Sequence, residues 1–404
     1  MQHENSGKCL DAKYPVKVIN PDDVYHYFFG YYDLNTYHKN RRYHLANRVK
    51  FMDRLPTKDD ICELGYIDLE TKEFIKFGET TAWNFQQGAL LCYNSSNYDE
   101  VFYNVRGGEN YFQTCIHNIK TGKKRFTDRA CANISSDGKL GLAVNFSRIY
   151  DFRAGYGYSD VVDPWYDIAQ PDNDGVYLVD MSTGKSKLII SIARMLREFP
   201  NQRFNDKKFV VNHITFNTSG NRFLFLLRNF QDPGETDWLT TVISSDLDGN
   251  MYELIHNGFA SHYYWKNDNQ VLFYCIRDDK YGLHLLDDFS QNYTTYDKEE
   301  FTFDTRVTGE KFNDIHCIYS PDRKYFIGDG YPRPDHCRYI YLYDTEKDEY
   351  EIILKDYTTD TENWDIRCDL HNRWNVKGDK FSFDSTRNGK REICEVDLSE
   401  LINN

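Results

Sequence analysis

The chain has 404 residues, 16% of them aromatic, and a formal net charge of −14. This charge disfavours general attraction to nucleic acid or to an anionic membrane, so an anionic ligand would need a local basic pocket. No apolar run approaches the length of a membrane span, and the first residues lack the apolar core of a signal peptide. The ten cysteines form no CxxC pair and several stand in strand-like runs, which predicts buried free thiols and a cytoplasmic protein.

Residues 1–13 are predicted to be disordered or loosely held, because nothing in them suggests a packed element. Residues 14–404 are predicted to form one domain, since no linker or low-complexity segment interrupts them. Tyr14–Ile19 has the pattern of a short strand. That strand could complete the last structural unit of the chain and close a ring.

A short hairpin recurs along the chain. Its clearest copy, residues 314–330, reads DIHCIYSPDRKYFIGDG: a strand led by a histidine, a tight turn and a second strand. Proline fixes φ in such a turn, and Ser and Asp favour its ends. Further copies begin near Gly30, Gln87, Cys131, His213, His262 and His371. Seven copies at intervals of mostly about 45 to 80 residues predict an all-β fold, a seven-bladed β-propeller.

Outer hairpins form a second periodic signal. Residues 64–73 read LGYIDLETKE, and the same order of strand, Asp-Leu-x-Thr-Gly/Lys turn and strand returns at 116–123, 176–185 and 340–347. Two insertions depart from the repeat, at residues 145–174 and 50–62. Long loops in compact domains are usually functional or disordered, and the first insertion is aromatic rather than low in complexity. Ser191–Arg197 is predicted to be a short helix.

Four histidines occupy nearly the same register before the turn: His213, His262, His316 and His371. Equivalent positions on inner strands of a propeller face one central channel. A lone histidine is more often a capped or packed core residue. Four in one register favour a site, and imidazole is both the usual acid–base group at neutral pH and the commonest metal ligand.

Arginines and aromatic residues accompany these histidines. Arg148, Arg228 and Arg373 could bind a sugar carboxylate through their forked donors, although surface ion pairs are an equal alternative for each one. Asp329 and Asp369 could orient a histidine or bind a cation, and turn or cap roles remain open for both. Aromatic faces come from several residues that include Tyr31, Tyr156 and Trp265.

Several motifs are missing from the sequence. It contains no GxSxG elbow, no P-loop and no Rossmann fingerprint, so a serine hydrolase domain and a nucleotide cofactor are not predicted. The Gly-His and Trp-Asp signatures of WD40 repeats are also missing, which weakens the hypothesis of a pure protein scaffold.

The chain resembles the oligogalacturonate lyases and related seven-bladed propeller polysaccharide lyases, among them the ulvan lyases. The resemblance covers residues 28–404 as architecture and the last four blades as motif. The motifs that carry it are HITFNTSG from His213, SHYYW from Ser261, HCIYSPD with IGDG from His316, and HNRW from His371.

This resemblance implies β-elimination in a uronic-acid oligosaccharide, with a divalent cation (Mn²⁺ in the oligogalacturonate enzymes, or Ca²⁺) neutralising the sugar carboxylate. His262 would match the catalytic histidine, and His316 and His371 two metal ligands. Where the family has a further histidine and a glutamine, this chain has Arg373 and Cys368. Arg373 could therefore take the place of the cation, as in metal-independent propeller lyases.

The sequence thus predicts a lyase with an acidic oligosaccharide as partner and with neither nucleic acid nor membrane. The predicted catalytic residues are His213, His262, Tyr156 and Arg228. The predicted substrate-binding residues are Arg148, Arg373, Tyr31 and Trp265. A non-catalytic carbohydrate-binding propeller and a glycoside hydrolase with paired carboxylates remain alternatives, and the sugar, the linkage and the oligomeric state stay open.

Overall fold

The computed structural model describes residues 10–200, 206–232, 239–298, 301, 314–333, 335–359 and 361–402. These residues form seven antiparallel sheets, each of four strands except one of five. Each sheet is one blade, and apart from the two N-terminal strands the strands of a blade follow one another in the chain. The predicted seven-bladed β-propeller is confirmed.

Two short strands precede the blades: β1 (Asp11–Ala12) and β2 (Val16–Val18). Blades 1 to 3 contain β3 (His26–Phe28), β4 (Tyr43–Val49), β5 (Cys62–Asp68), β6 (Glu73–Thr80), β7 (Cys92–Tyr93), β8 (Glu100–Arg106), β9 (Phe112–Asn118), β10 (Lys124–Phe126), β11 (Cys131–Ile134), β12 (Leu140–Ala143), β13 (Gly175–Asp180) and β14 (Lys185–Ser191). Blades 4 and 5 contain β15 (Phe209–Phe216), β16 (Arg222–Asn229), β17 (Thr240–Asp246), β18 (Met251–Gly258), β19 (Ala260–Trp265), β20 (Gln270–Arg277), β21 (Lys280–Asp287) and β22 (Tyr293–Tyr296).

Blades 6 and 7 contain β23 (His316–Tyr319), β24 (Tyr325–Asp329), β25 (Cys337–Asp344), β26 (Glu349–Tyr357), β27 (Arg373–Trp374), β28 (Lys380–Ser385) and β29 (Glu392–Asp397). The α-helices of the described residues are α1 (Phe146–Phe152), α2 (Ile192–Glu198) and α3 (Ser399–Ile402). The helix predicted at Ser191–Arg197 is confirmed by α2, whose N-cap is Ser191.

The N-terminal strand closes the ring. In β2, Val16 pairs with Val396 of β29, so the segment predicted to complete the last blade does so. The preceding strand β1 adds a fifth strand to blade 6, where Asp11 pairs with Lys355. The structure therefore orders this part of the segment predicted to be loosely held, while residues 1–9 lie outside the described residues.

The repeated inner turns share their hydrogen bonds. In blade 6, Ser320 Oγ donates to Asp322 at 2.7 Å and accepts from the Tyr325 amide at 3.0 Å. Ser135 makes the same two contacts in blade 3. The fourth turn position has positive φ in both: 71° at Gly138 and 64° at Arg323. Arginine at that position is unusual, because a side chain disfavours the left-handed region.

The core lies between the blades and around the channel. Inner strands are the most enclosed: every residue of β16 is buried, whereas several residues of the outer strand β6 are exposed. Eight described cysteines are free, but Cys337 is disulfide-bonded, which corrects the prediction of free thiols throughout. In the part of the chain that the structure describes, no helix has the length and apolar character needed to cross a bilayer.

The two insertions lie at one end of the ring and touch each other. The insertion of blade 3 is helical at its start, with α1 capped by Asn145, and continues into a 3-10 helix at Ala154–Tyr156. In the insertion of blade 1, the amide of Lys58 donates to Asp160 at 2.9 Å. Residues between Tyr150 and Tyr156 of the blade 3 insertion line a cavity at this end of the channel, and the blade 1 insertion packs against the same insertion.

Candidate functional site

The four predicted histidines surround one tyrosine at one end of the channel. The ring centroid of Tyr32 lies 6.0 Å from His213, 6.2 Å from His262, 5.3 Å from His316 and 6.1 Å from His371. The Tyr32 hydroxyl donates to the backbone carbonyl of Tyr263 at 2.9 Å. The shared register in the sequence thus corresponds to a shared place in the fold.

Irregular backbone positions two of these imidazoles. His213 has φ 48° and stands where the pairing register between β15 and β16 shifts, which marks a β-bulge. His371 has φ 45° just before β27. Left-handed backbone at a non-glycine residue costs free energy and collects at functional sites, where a bulge re-aims a side chain.

His262 forms a buried pair with Asp314. Its Nδ1 lies 2.8 Å from Asp314 Oδ1, and its Nε2 has no protein partner among the described residues. Burial lowers the pKa of His262 to about 4, although Asp314 acts in the opposite direction. The imidazole is therefore neutral at pH 7, with Nδ1–H donating to the carboxylate and the lone pair of Nε2 available.

A set of three buried side chains that could bind a metal ion lies beside this pair. One ligand atom each of His316, His371 and Asp369 lies within 4.8 Å of the others. Nδ1 of His316 contacts Asp329 at 3.0 Å, so the proton of that ring is fixed away from the set. Within the described chain, Nε2 of His316 and Nε2 of His371 are buried and have no hydrogen-bond partner.

These atoms fit a divalent cation. Two imidazole nitrogens and a carboxylate oxygen are ligands that Mn²⁺ and related metals accept. Burial alone would raise the pKa of Asp369, but the guanidinium groups of Arg367 and Arg338 hold it well below its usual range. Asp369 is therefore ionised. It also stays within ion-pair distance of both arginines, at 2.6 Å and 2.7 Å, so a cation would share this carboxylate with them.

The histidines lie beside a cavity of 860 Å³, here called the upper cavity. His213 and His262 line it, and His316 contacts the ring of His262 at a centroid distance of 3.7 Å. The size is in the range of small-ligand pockets. Its wall also contains Tyr31, Tyr156, Arg228, Tyr331 and Trp364, together with the carboxylates of Asp151 and Asp365.

All four predicted catalytic residues line the upper cavity, as does Tyr31 among the predicted substrate-binding residues. Tyr156 comes from the 3-10 helix of the blade 3 insertion. Its hydroxyl accepts a hydrogen bond from Arg367 Nη2 at 3.1 Å. The phenolic proton therefore remains free to be donated to a ligand.

Arg228 brings positive charge to the wall of this cavity. Its guanidinium donates to Thr240 Oγ1 at 3.1 Å, Asn212 Oδ1 at 3.0 Å and the Ala260 carbonyl at 2.9 Å. Burial lowers the pKa of Arg228 to about 10. The guanidinium stays protonated at neutral pH, and its three hydrogen bonds hold it at the cavity wall. Because the chain has a net negative charge, an anionic ligand needs such a local positive group.

Three predicted substrate-binding residues do not line the upper cavity. Arg148 is buried inside the blade 3 insertion and bonded to Asp163 at 2.9 Å. Arg373 donates to Asp384 at 2.9 Å and to the Gly30 carbonyl at 3.1 Å. Arg373 and Trp265 line a second cavity, of 520 Å³, at the opposite end of the channel. Trp265 and Arg373 follow His262 and His371 by three and two residues. They therefore lie further along the channel, because each residue advances a strand by about 3.3 Å.

Sequence reasoning assigned no role to Asp314, Tyr331 or Arg367. Asp314 stands two residues before His316 but orients a histidine of the neighbouring blade, and no local pattern indicates such a contact. Tyr331 stacks on Trp364, with ring centroids 5.8 Å apart and an interplanar angle of 26°. The spacing of Arg367 and Asp369 on one short segment was the available signal for their ion pair.

Comparison with known proteins gives a likeness in fold without a likeness in sequence. No protein-family profile and no curated protein sequence matches the chain. A solved structure described as oligogalacturonate lyase in complex with manganese matches 98% of this chain and 97% of its own, with a TM-score of 0.65 at 13% identity. The oligogalacturonate lyase of Vibrio parahaemolyticus matches 96% of this chain and 97% of its own, with a TM-score of 0.62 at 12% identity.

The chain shares the fold of the oligogalacturonate lyases. Both of these lyases align over almost their whole length, whereas the tricorn protease aligns with 94% of this chain but over only 34% of its own, at a TM-score of 0.51. At such identities the likeness concerns the fold alone. Against the lyase pattern stated above, the structure puts Asp369 beside the two histidines and directs Arg373 to Asp384.

Proposed function

We propose that the protein is a carbon–oxygen lyase that cleaves uronate-containing oligosaccharides by β-elimination. The observation that carries this proposal is the upper cavity, where the His262–Asp314 pair stands beside the buried set of His316, His371 and Asp369. The likeness in fold to two oligogalacturonate lyases supports the same chemistry.

Elimination needs a base, an acid and a group that stabilises negative charge. The base removes the proton next to the uronate carboxylate, and the electron pair passes through an enolate into a carbon–carbon double bond. The glycosidic bond at the neighbouring carbon breaks, and its oxygen takes up a proton. Charge stabilisation in a buried site contributes most to such steps.

The chain offers a residue for each role. Nε2 of neutral His262 accepts the proton, and Asp314 stabilises the imidazolium that results. Tyr156 donates its phenolic proton to the departing oxygen, while Arg367 holds its hydroxyl in place. Arg228 binds the carboxylate. A divalent cation held by His316, His371 and Asp369 would neutralise further charge on that carboxylate.

The test is an ultraviolet assay on a panel of uronate oligosaccharides, with Mn²⁺, with Ca²⁺ or with a chelator. Elimination leaves a double bond conjugated to the carboxylate, which absorbs in the ultraviolet. We expect His262→Ala to lower the rate by about 10²-fold or more. His256→Ala is the matched control, because His256 is half-exposed and remote from the cavity. No absorbance with any uronate substrate would refute the proposal.

The cation is tested separately by calorimetric titration of the metal-free protein with Mn²⁺. We expect one site per chain, lost in His316→Ala and in His371→Ala. This measurement does not depend on the substrate. Unchanged Mn²⁺ affinity in both variants would show that these histidines do not bind the metal.

A glycoside hydrolase is the second candidate, because the carboxylates of Asp151 and Asp365 also line the upper cavity. Burial, with the charge of Asp163, raises the pKa of Asp151, as a general acid requires. Hydrolysis would release reducing ends without a chromophore. Binding without either product would indicate a non-catalytic carbohydrate-binding propeller.

A further inference from the structure

The second cavity, of 520 Å³, is here called the lower cavity, and its size is in the range of small-ligand sites. The inner turns of the blades surround it. The walls of the lower and upper cavities share no residue among those described. Tyr31 and Tyr32 lie between the two cavities, because both contact the histidines and the next residue, Asp33, lines the lower cavity. A ligand of the lower cavity is therefore separated from the chemistry proposed for the upper one.

The inner turns share one backbone conformation. In five of them the amide of the fourth residue donates to the carbonyl of the first, and the fourth residue has positive φ, between 60° and 78°. Glycine adopts this conformation freely, whereas a side chain disfavours it. These fourth residues are Arg41, Gly138, Gly220, Arg323 and Gly378. Two turns thus keep an arginine where glycine fits better, and backbone strain of this kind is typical of functional residues.

The two arginines differ in their partners. The side chain of Arg41 is exposed, and its Nη1 lies 3.6 Å from Asp379. Arg323 is half-buried and lines the lower cavity, and no carboxylate of the described residues lies within ion-pair distance of it. Its Nη1 donates to the Ser320 carbonyl at 3.5 Å, and its guanidinium lies 5.8 Å from the ring centroid of Tyr264. Arg323 therefore holds a positive charge at the cavity wall.

The charge of Arg323 is not balanced within the lower cavity. Arg373, the other cation of the wall, is paired with Asp384 at 2.9 Å. Among the described residues of the wall, Asp33 has the one carboxyl group. Burial raises the pKa of Asp33 to about 7, so most of this carboxyl is protonated and uncharged at pH 6. The wall therefore attracts an anion, although the net charge of the chain is −14.

Two further hydrogen-bond donors are available at this wall. Tyr264 and Asn133 line the cavity and are half-buried. The Tyr264 hydroxyl and the Asn133 amide nitrogen have no hydrogen-bond partner among the described residues, and neither atom is sealed from solvent. The Asn133 oxygen is already used, because it accepts from the Phe216 amide at 3.0 Å. Both free atoms can donate to a carboxylate, which only accepts.

One side of the lower cavity is apolar. The turn of blade 6 packs against the turn of blade 7, where a Cβ at Gly378 would lie 3.0 Å from Pro321. Blade 7 contributes Val376, which is 36% exposed, and Trp374 to the cavity wall. Blade 5 contributes the ring of Tyr264. A flat apolar ring packs well against such side chains.

We propose that the lower cavity is a second binding site, for a small carboxylate that carries an apolar ring. The Arg323 guanidinium and the Tyr264 hydroxyl bind the carboxylate, and the apolar side chains of the wall pack against the ring. This site is independent of the proposed lyase activity, because it uses other residues in another cavity. A protein that cleaves no uronate can still have it, and cleavage does not require it.

The test is a ligand-observed NMR titration of the full chain at pH 6, with benzoate as the anionic probe and benzamide as the neutral probe of the same shape. We expect benzoate to bind, and benzamide to bind about tenfold more weakly or not at all. Arg323→Gly should weaken benzoate binding about tenfold or more, because it removes the cation. Its melting temperature should not fall, since glycine suits this φ.

Arg41→Gly is the matched control. It makes the same change at the equivalent position of blade 1, whose arginine does not line the cavity, and it should leave benzoate binding unchanged. Arg323→Gln removes the charge and keeps a side chain, so the test stays usable if the glycine variant does not fold. No binding of benzoate, equal binding of both probes, equal weakening in Arg41→Gly, or benzoate binding unchanged in both Arg323 variants would each overturn the proposal.

Discussion

Arg148 is the clearest case where sequence and structure assign different roles, and Arg148→Met separates them. The side chains of Arg148 and Asp163 are each 1% exposed, and Nη1 lies 2.9 Å from the carboxylate. The guanidinium also donates to four backbone carbonyl oxygens, those of Phe209, Trp165, Ile168 and Ala169. Methionine fills similar volume but leaves Asp163 buried without its cation.

The expected loss of folding stability in Arg148→Met follows from the burial of this ion pair. Breaking such a pair on one side costs about 3–5 kcal/mol. With an unfolding entropy of about 2.1 cal/mol/K per residue, this lowers the melting temperature of a chain of this length by about 4–6 °C. Differential scanning fluorimetry and urea unfolding measure it. KM for the uronate substrate should change little, because Arg148 does not line the upper cavity.

Arg197→Met is the matched control for this prediction. Arg197 forms an ion pair with Asp172 at 3.1 Å, but their side chains are 64% and 69% exposed. An exposed pair contributes about 0–1 kcal/mol, so this variant should melt almost as the parent does. An unchanged melting temperature in Arg148→Met, together with a raised KM, would show that Arg148 binds substrate and does not stabilise the fold.

Three further outcomes are expected. Asp314→Asn should lower kcat by about 10²-fold with little change in KM, because the amide no longer stabilises the His262 imidazolium. Asp365→Asn in the same cavity is the control, and an equal loss of kcat in both variants would contradict the role given to Asp314. Trp364→Ala should raise KM about fivefold and leave kcat unchanged, since Trp364 is a half-exposed ring at the cavity wall; a loss confined to kcat would contradict a binding role. Burial, aided by the charge of Arg373, lowers the pKa of His44 in the folded state to about 3, from the ordinary value of 6.5. Between these two pH values the unfolded state binds a proton that the folded state does not. The free energy of unfolding therefore falls as the pH drops from 6.5 towards 3. Urea unfolding at several pH values should show that the free energy of unfolding of His44→Gln depends less steeply on pH in this window, by about 1.4 kcal/mol per pH unit. The same pH dependence in both proteins would contradict the lowered pKa of His44.

The fold could be predicted because its signal is local and repeated. Each inner turn is specified by four residues whose side chains bond within the turn, as Ser135 and Ser320 do, and this chemistry can be recognised in a sequence. Closure of the ring by the N-terminal strand was predictable for a related reason: the last blade contains too few strands of its own. Both inferences use properties of the chain that do not depend on distant contacts.

The site could be predicted only in part, because its geometry depends on contacts between blades. Register predicts that His213 and His262 face the channel, but it does not show that Asp314 reaches across to His262. Nor does it say how far along the channel a side chain lies. Arg373 is two residues beyond His371, about 7 Å further along the strand, and so contacts Asp384 instead of the histidines.

Helix α1 was missed for another reason. Its sequence, FSRIYDF, contains three aromatic residues and one β-branched residue, which have modest helix propensity. Tertiary contacts stabilise it: Asn145 caps its first turn, and Arg148 within it anchors the insertion to Phe209. Propensity alone therefore indicates a loop where packing produces a helix.

The pairing of β2 with β29 has a consequence for synthesis of the chain. Val16 is made early, and its partner Val396 is 380 positions later. Until that partner leaves the ribosome, β2 has no place in the ring, and blade 7 lacks its outermost strand. A nascent or truncated chain therefore exposes the unpaired strand β2 and the edge of β28, and such edges can pair with other chains. Fragments that end before Glu392 lack β29 altogether, so their expression should give aggregates rather than a smaller stable propeller.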